Sequence, residues 1–193
     1  MKRALSFLLV VILILGVLLL TSCAMEGIFV FQLNDAGDGY VISALIKDPV
    51  FVWDGRIIPS TYNGLPVTEI KSGGFAGWKN LVDIVIPGSV EIIGSYAFGS
   101  SGLVLASIEE GTKTIGDYAF AYTGLSEIYL PSTIEYIGTG AFSFCYELNN
   151  IYFGGTMAEW NTITKADLWN QGMGVYGAVS VSCSDGTITF YTN

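Results

Sequence analysis

The sequence predicts a right-handed solenoid, β-rich with short helical turns, of about 4–5 coils of 22–23 residues, closed by a β-hairpin at each end. Three observations predict it. Phenylalanines recur at Phe75, Phe98, Phe120 and Phe142, in steps of 23, 22 and 22 residues. Two further apolar columns keep that step: Ile70, Ile93, Ile115 and Ile137 five residues before, and Leu81, Leu103, Leu125 and Leu148 five or six after. Both ends of this array carry alternating segments around turn residues. A fixed period of about 20–50 residues marks stacked units, none of which can bury its apolar side alone.

The chain begins with residues 1–22, which have the three parts of a secretory signal. Lys2 and Arg3 form the positive end, Phe7 to Leu20 the apolar middle, and Leu20-Thr21-Ser22-Cys23 the exit. The 14 apolar residues are short for a membrane span, which needs about 20. The exit resembles the bacterial lipoprotein signal. That resemblance implies a diacylglyceryl thioether on Cys23, which becomes the mature N-terminus. Two or three acyl chains hold a protein far more firmly than one. No other cofactor is expected. Residues 23–27 are the lipidated cysteine and a short tether, so the domain should lie close to its membrane. Ala24 stands where Asp commonly retains lipoproteins of two-membrane bacteria at the inner membrane. Either the outer membrane or the outer face of the cytoplasmic membrane is compatible with it.

Residues 28–56 are expected to form an N-terminal β cap, with Ile28–Leu33 and Tyr40–Ala44 as a hairpin around "NDAGDG". Residues 57–164 carry the repeats. Each unit reads roughly I-G-x-x-A-F followed by L-x-x-I-x-I-P-x-S. The second half alternates as a strand does, and Pro87-Gly88-Ser89 and Pro131-Ser132-Thr133 turn the chain. The first half reads as a short strand and a helical turn. Further core columns are Ile84, Ala106, Ile128, Ile151 and Ile86, Ile108, Leu130, Phe153. The second copy departs from the pattern. Ala106 and Thr112 replace large apolar residues and Glu109-Glu110 replace Pro-x, which loosens the core there or marks a surface feature. Met157 and Trp160 are placed in the Ile134 and Ile137 columns, and Lys165 in place of phenylalanine ends the array. Residues 165–193 are the C-terminal cap, with a hairpin in "AVSVSCSDGTITFY" around Asp185-Gly186.

These columns resemble the BspA-type leucine-rich repeat family. "IPSTYNGLPVTEI" (Ile58 to Ile70) is similar to the family's lead-in, "AFSFCYELNNIYF" (Ala141 to Phe153) keeps its loop cysteine, and "GTMAEWNTI" (Gly155 to Ile163) is similar to its usual exit. The resemblance implies a leucine-rich-repeat solenoid on the bacterial cell surface and adhesion to host or neighbour-cell components.

Charge excludes some partners. The 8 basic and 17 acidic residues give −9; without residues 1–22, which hold Lys2 and Arg3, the balance is 6 − 17 = −11. Such a surface repels nucleic-acid phosphate and anionic lipid headgroups. The chain has no histidine, so no Ser-His or Cys-His pair exists and the commonest zinc ligand is missing; no metal site is expected. Cys145 and Cys183 read as buried small side chains, with a disulfide between them as the alternative. Glu109 and Glu127 are the pair a small envelope hydrolase would need, at about 5–10 Å apart. No feature encloses a pocket around them, so no enzyme is expected.

Binding residues are sought between the core positions of the L-x-x-I-x-I strands, which point outward on the expected concave face. Asp83, Leu105, Glu127 and Asn150 form one column; Val85, Ser107, Tyr129 and Tyr152 form the next, with Glu109 beyond. Adjacent tyrosines beside a carboxylate and an amide suit an extracellular protein or glycan. A cross-strand aromatic ladder that only stabilises the sheet is the competing reading. An envelope scaffold that binds another protein of the same cell is the competing function.

Overall fold

A computed structural model describes residues 29–44, 58–174 and 178–191. Cys23 with its tether and the preceding signal lie outside the described residues, as do Ile28, residues 45–57 and residues 192–193. No helix among the described residues is long and apolar enough to cross a membrane.

The strands, in chain order, begin with β1 (Phe29–Leu33), β2 (Tyr40–Ala44), β3 (Thr61–Tyr62), β4 (Leu65–Ile70) and β5 (Asp83–Ile86). The middle coils give β6 (Ile92–Ile93), β7 (Leu105–Ile108), β8 (Thr114–Ile115), β9 (Glu127–Leu130), β10 (Tyr136–Ile137) and β11 (Asn150–Phe153). Last come helix α1 (Met157–Thr162), β12 (Thr164–Lys165), β13 (Ala178–Cys183) and β14 (Gly186–Tyr191). Two sheets result. One runs β1-β2-β4-β6-β8-β10-β12, with β3 beside β4; the other runs β14-β13-β11-β9-β7-β5. Among the described residues, every pairing between coils is parallel, and only the terminal hairpins and β3–β4 are antiparallel. The predicted hairpins β1–β2 and β13–β14 are both present.

A third ladder joins the coils where a helical turn was expected. The residues after each short strand make successive turns in which alternate N–H groups have different jobs. In the second coil, the N–H groups of Ala97, Gly99 and Ser101 close turns onto Gly94, Tyr96 and Phe98. Those of Tyr96, Phe98 and Ser100 donate to Asp117, Ala119 and Ala121 of the next coil. The next coil repeats the pattern, with Tyr118, Phe120 and Tyr122 donating to Thr139, Ala141 and Ser143. A true helical turn would keep these bonds local and leave the coils unjoined here. The third residue of two turns in each coil has positive φ: Tyr96 and Ser100, Tyr118 and Tyr122, Gly140 and Phe144. That is the type II requirement, met mostly without glycine.

The core lies between the two sheets and the turn ladder. Phe75, Phe98, Phe120 and Phe142 are buried and stacked, with centroids 5.4, 5.3 and 5.5 Å apart and interplanar angles of 11°, 12° and 8°. One ring per coil fits the spacing of parallel strands, about 4.8 Å. Burying each ring contributes about 1.5–3 kcal/mol. The second copy stays closed. Ala106 and Thr112 are both fully buried, and the Thr112 hydroxyl donates to Val90 O at 2.6 Å, which satisfies it.

The backbone goes on coiling past Lys165, where the repeat pattern of the sequence stops. Ile137 pairs with Lys165 and Tyr136 with Thr164. Lys165 therefore occupies the isoleucine column, 28 residues after Ile137 instead of 22, and the six extra residues match the length of α1. Trp160 is buried on that helix rather than in the Ile137 column. The coil runs on: Phe142 N donates to Trp169 O, Phe144 N to Gln171 O, and β13 pairs parallel with β11. Burial lowers the Lys165 pKa. Its ammonium donates to Trp160 O (2.6 Å) and Ile163 O (3.1 Å) and lies 4.6 Å from the Trp160 ring centroid.

Helix α1 begins with a capping box. Thr156 Oγ1 accepts from Glu159 N at 3.2 Å, and the Glu159 carboxylate accepts from Thr156 N at 2.7 Å. Thr156→Ala is expected to cost about 1 kcal/mol, read from the urea midpoint. The bond from Thr156 N holds the Glu159 pKa below its ordinary value. A depressed carboxyl pKa adds stability above the unfolded pKa, and that stability is lost as pH falls through the folded value. Glu159→Gln should therefore destabilise the domain most at neutral pH, where the carboxylate is charged, and approach the parent as pH falls, which flattens the acid limb of the stability profile.

Candidate functional site

The outward face of the second sheet carries the predicted columns in register. Asp83 faces Leu105, Leu105 faces Glu127, and Glu127 faces Asn150. Val85, Ser107, Tyr129 and Tyr152 align in the same way. Parity causes this: in a strand, residues between core positions point away from the core. The rings of Tyr129 and Tyr152 stack at 4.6 Å and 12°. Tyr129 is 41% exposed, and its hydroxyl donates to Glu127 Oε2 at 3.3 Å. Partial desolvation, then the Glu127 charge, raises the Tyr129 pKa, so the phenol remains a donor at neutral pH. Leu105 is exposed, whereas Asp83, Val85, Ser107, Glu127, Asn150 and Tyr152 are half-buried.

Glu109 stands apart from this patch. It follows the end of β7, and its Oε2 accepts from Gly88 N at 3.2 Å on the preceding coil. Glu110 reaches the other way and accepts from Ser132 N (2.9 Å) and Ser132 Oγ (3.0 Å). The carboxylates that replace Pro-x thus bind main-chain donors of both neighbouring coils. Glu127 lies opposite Leu105, four residues before Glu109. Four residues of strand span about 13 Å, so the two carboxylates are not the close pair that a glycosidase uses.

Cys145 and Cys183 are free thiols, not a disulfide. Cys145 is buried, with Sγ 3.1 Å from Phe120 O and 3.2 Å from Thr123 Oγ1. Burial pushes its pKa up to about 11, so it stays protonated at neutral pH. Among the described residues, no group of three or more His, Cys, Asp or Glu could hold a metal ion. Asn34 and Asp38 of the "NDAGDG" turn hydrogen-bond each other at 2.9 Å and line an open groove of about 390 Å³ with Thr68, Glu69 and Glu91. Burial, then Asp35, raises the Glu69 pKa.

Two sets of outward-facing residues escaped the sequence analysis. Ser180 and Ser182 extend the outward columns, followed by Thr189 and Thr187 of β14. The turn ladder carries a second aromatic surface. Tyr96 stacks on Tyr118 (4.9 Å) and Tyr122 on Phe144 (4.6 Å), with Tyr96 50% and Tyr122 56% exposed. The tyrosines two residues before Phe98 and Phe120, and two after Phe120, were the available signal.

Comparison with known proteins places this geometry. No curated protein matches the chain. The leucine-rich repeat protein TpLRR of T. pallidum is 23% identical, with a TM-score of 0.45, over 76% of this chain and 83% of that one. The pneumococcal vaccine antigen PcpA is 21% identical, with a TM-score of 0.52, over 86% of this chain and 52% of that one. A leucine-rich repeat protein from Bacteroides ovatus is 21% identical, with a TM-score of 0.46, over 67% of this chain and 42% of that one. The chain thus spans about half or less of the latter two. PcpA shares the fold, and at this identity nothing more is transferred. The family description "BspA type Leucine rich repeat region" matches residues 58–165 in six copies, more than half of the chain. With its stacked coils, parallel sheets and phenylalanine column, the chain belongs to the BspA-type leucine-rich repeat family.

Proposed function

We propose that the chain is a non-enzymatic protein of the bacterial cell envelope, anchored by lipid on Cys23, whose outward sheet face binds an extracellular protein or glycan in adhesion. One observation carries this reading: Glu127, Tyr129, Asn150 and Tyr152 form a contiguous patch on rigid strands, in register and facing away from the core. Its two rings supply contact area at low entropic cost, and its carboxylate and amide supply directional bonds. The lipoprotein-like exit Leu20–Cys23 supports the location, and the family membership supports a repeat scaffold.

The test is binding of the lipid-anchored chain, in detergent, to arrays of matrix proteins and glycans, beside a Tyr129→Ala/Tyr152→Ala variant. Saturable binding that weakens about thirtyfold in the variant is expected, the loss of a binding hot spot of about 2 kcal/mol. The stacked pair itself is worth about 0.5–1.5 kcal/mol, so the variant should stay folded, which circular dichroism checks. Equal binding by both proteins assigns the tyrosines to sheet architecture. The short tether, residues 23–27, favours a second reading, a scaffold for another protein of the same envelope. Crosslinking on intact cells separates the two, since only the scaffold predicts a stoichiometric native partner.

A further inference from the structure

Among the described residues, the second sheet ends at β14, an edge strand with no partner on its outer side. Ser180 N donates to Asn149 O and Ser184 N to Gly155 O, so these residues of β13 and its turn face the β11 side. Ser180 lies opposite Thr189 on β14 and Ser182 opposite Thr187. In an antiparallel ladder the partner of an outward-bonding residue also points its N–H and C=O away from the pair. The main-chain groups of Thr187, Thr189 and Tyr191 therefore face outward, and no strand pairs with them among the described residues. Native edges are usually blunted by charge, proline or a bulge. The strand Gly186-Thr187-Ile188-Thr189-Phe190-Tyr191 has no charge and no proline, and its pairing with β13 runs without a shift of register.

We propose that this edge pairs with β14 of a second copy of the chain, antiparallel about a twofold axis at Thr189. The outward groups are symmetric about that residue. Thr189 then meets Thr189 of the other copy, and Thr187 meets Tyr191 in both directions. These three hydrogen-bonded pairs make about six main-chain bonds, two for each pair. Ile188 falls opposite Phe190 of the other copy. Both are half-buried against the core, and a β-branched residue beside an aromatic ring is a favourable cross-strand pair. The two second sheets become one continuous sheet. No like charges meet across the strands, so the opposing force is the long-range repulsion of two chains of net charge −9. Salt screens that repulsion over about 8 Å at physiological ionic strength, so the dimer strengthens as salt rises. The proposal does not depend on the binding face.

Disulfide trapping tests it on the full chain in detergent, in a Cys183→Ser background. Hydrogen-bonded antiparallel partners have Cα atoms about 5.5 Å apart, within disulfide range. Thr189→Cys is expected to form a disulfide-linked dimer on mild oxidation. Thr187→Cys and Tyr191→Cys should each stay monomeric alone and crosslink when mixed. Thr189→Pro removes an N–H that β13 does not use, so it should leave the fold intact by circular dichroism and abolish the dimer in sedimentation velocity. Failure of Thr189→Cys to exceed its parent, self-crosslinking of Thr187→Cys, or a dimer that survives Thr189→Pro or dissolves in salt would overturn the proposal.

Discussion

Phe120→Ala is expected to lower the stability of the domain by about 3–5 kcal/mol, the usual cost of removing a buried aromatic ring. The ring is fully buried, 5.3 Å from Phe98 and 5.5 Å from Phe142. Its loss opens a cavity in the middle of the stack and unpairs two neighbouring rings at once. The neighbours cannot close the gap, because their main chains are held by the turn ladder: Phe98 N donates to Ala119 O and Phe120 N to Ala141 O. In a solenoid each coil touches only its neighbours, so a weak coil in the centre separates two shorter arrays. Domains are stable by about 5–15 kcal/mol in total, so the variant should lie near its unfolding midpoint under mild conditions. Urea titration followed by tryptophan fluorescence measures the shift. Phe120→Leu, which refills most of the volume, should recover a large part of it. A change below about 1 kcal/mol for Phe120→Ala would mean that the stack does not hold the coils together.

The parts of this structure legible in the sequence are those that repeat with an unbroken step. Phe75 to Phe142 fixes the coil length, and strand parity then places Glu127, Tyr129, Asn150 and Tyr152 on one outward face, as observed. Legibility fails where the step breaks. The six residues of α1 displace the isoleucine column to Lys165, and a polar residue in a shifted register looks like the end of an array. The hairpin β13–β14 is legible from Asp185-Gly186, but the parallel pairing of β13 with β11 is not, since no local residue encodes it. The turn ladder hides for another reason. Its positive-φ positions hold tyrosine and phenylalanine at Tyr96, Tyr118, Tyr122 and Phe144, where glycine would have announced a turn. The bonds between coils fix that conformation despite a cost of about 1–2 kcal/mol per residue. Glu109 reads as candidate chemistry because sequence shows its carboxylate and not the main-chain donor of Gly88 that it satisfies.

Gly111→Ala is expected to destabilise the domain by about 4 kcal/mol, at the upper end of single substitutions. Two effects add. The φ of Gly111 is +126°, a region that side chains avoid. A Cβ built there would lie 2.0 Å from Gly88 O and 2.9 Å from Gly88 C. Those atoms belong to the main chain of the preceding coil, so no rotamer change relieves the contact. The coils would have to part where Glu109 bridges to Gly88 and Thr112 donates to Val90 O at 2.6 Å. The bond from Gly111 N to Thr133 Oγ1, 2.9 Å, ties the same residue to the following coil, so a shift in either direction breaks a contact. Gly37 supplies the control. Its φ of +73° is also left-handed, but nothing lies within 4 Å of an added Cβ. Gly37→Ala should therefore cost only the backbone strain, about 1 kcal/mol. Urea midpoints of the two variants separate strain from collision. If Gly111→Ala cost no more than Gly37→Ala, the coils would not be in contact at this corner, and the close stacking of the first and second coils would be refuted.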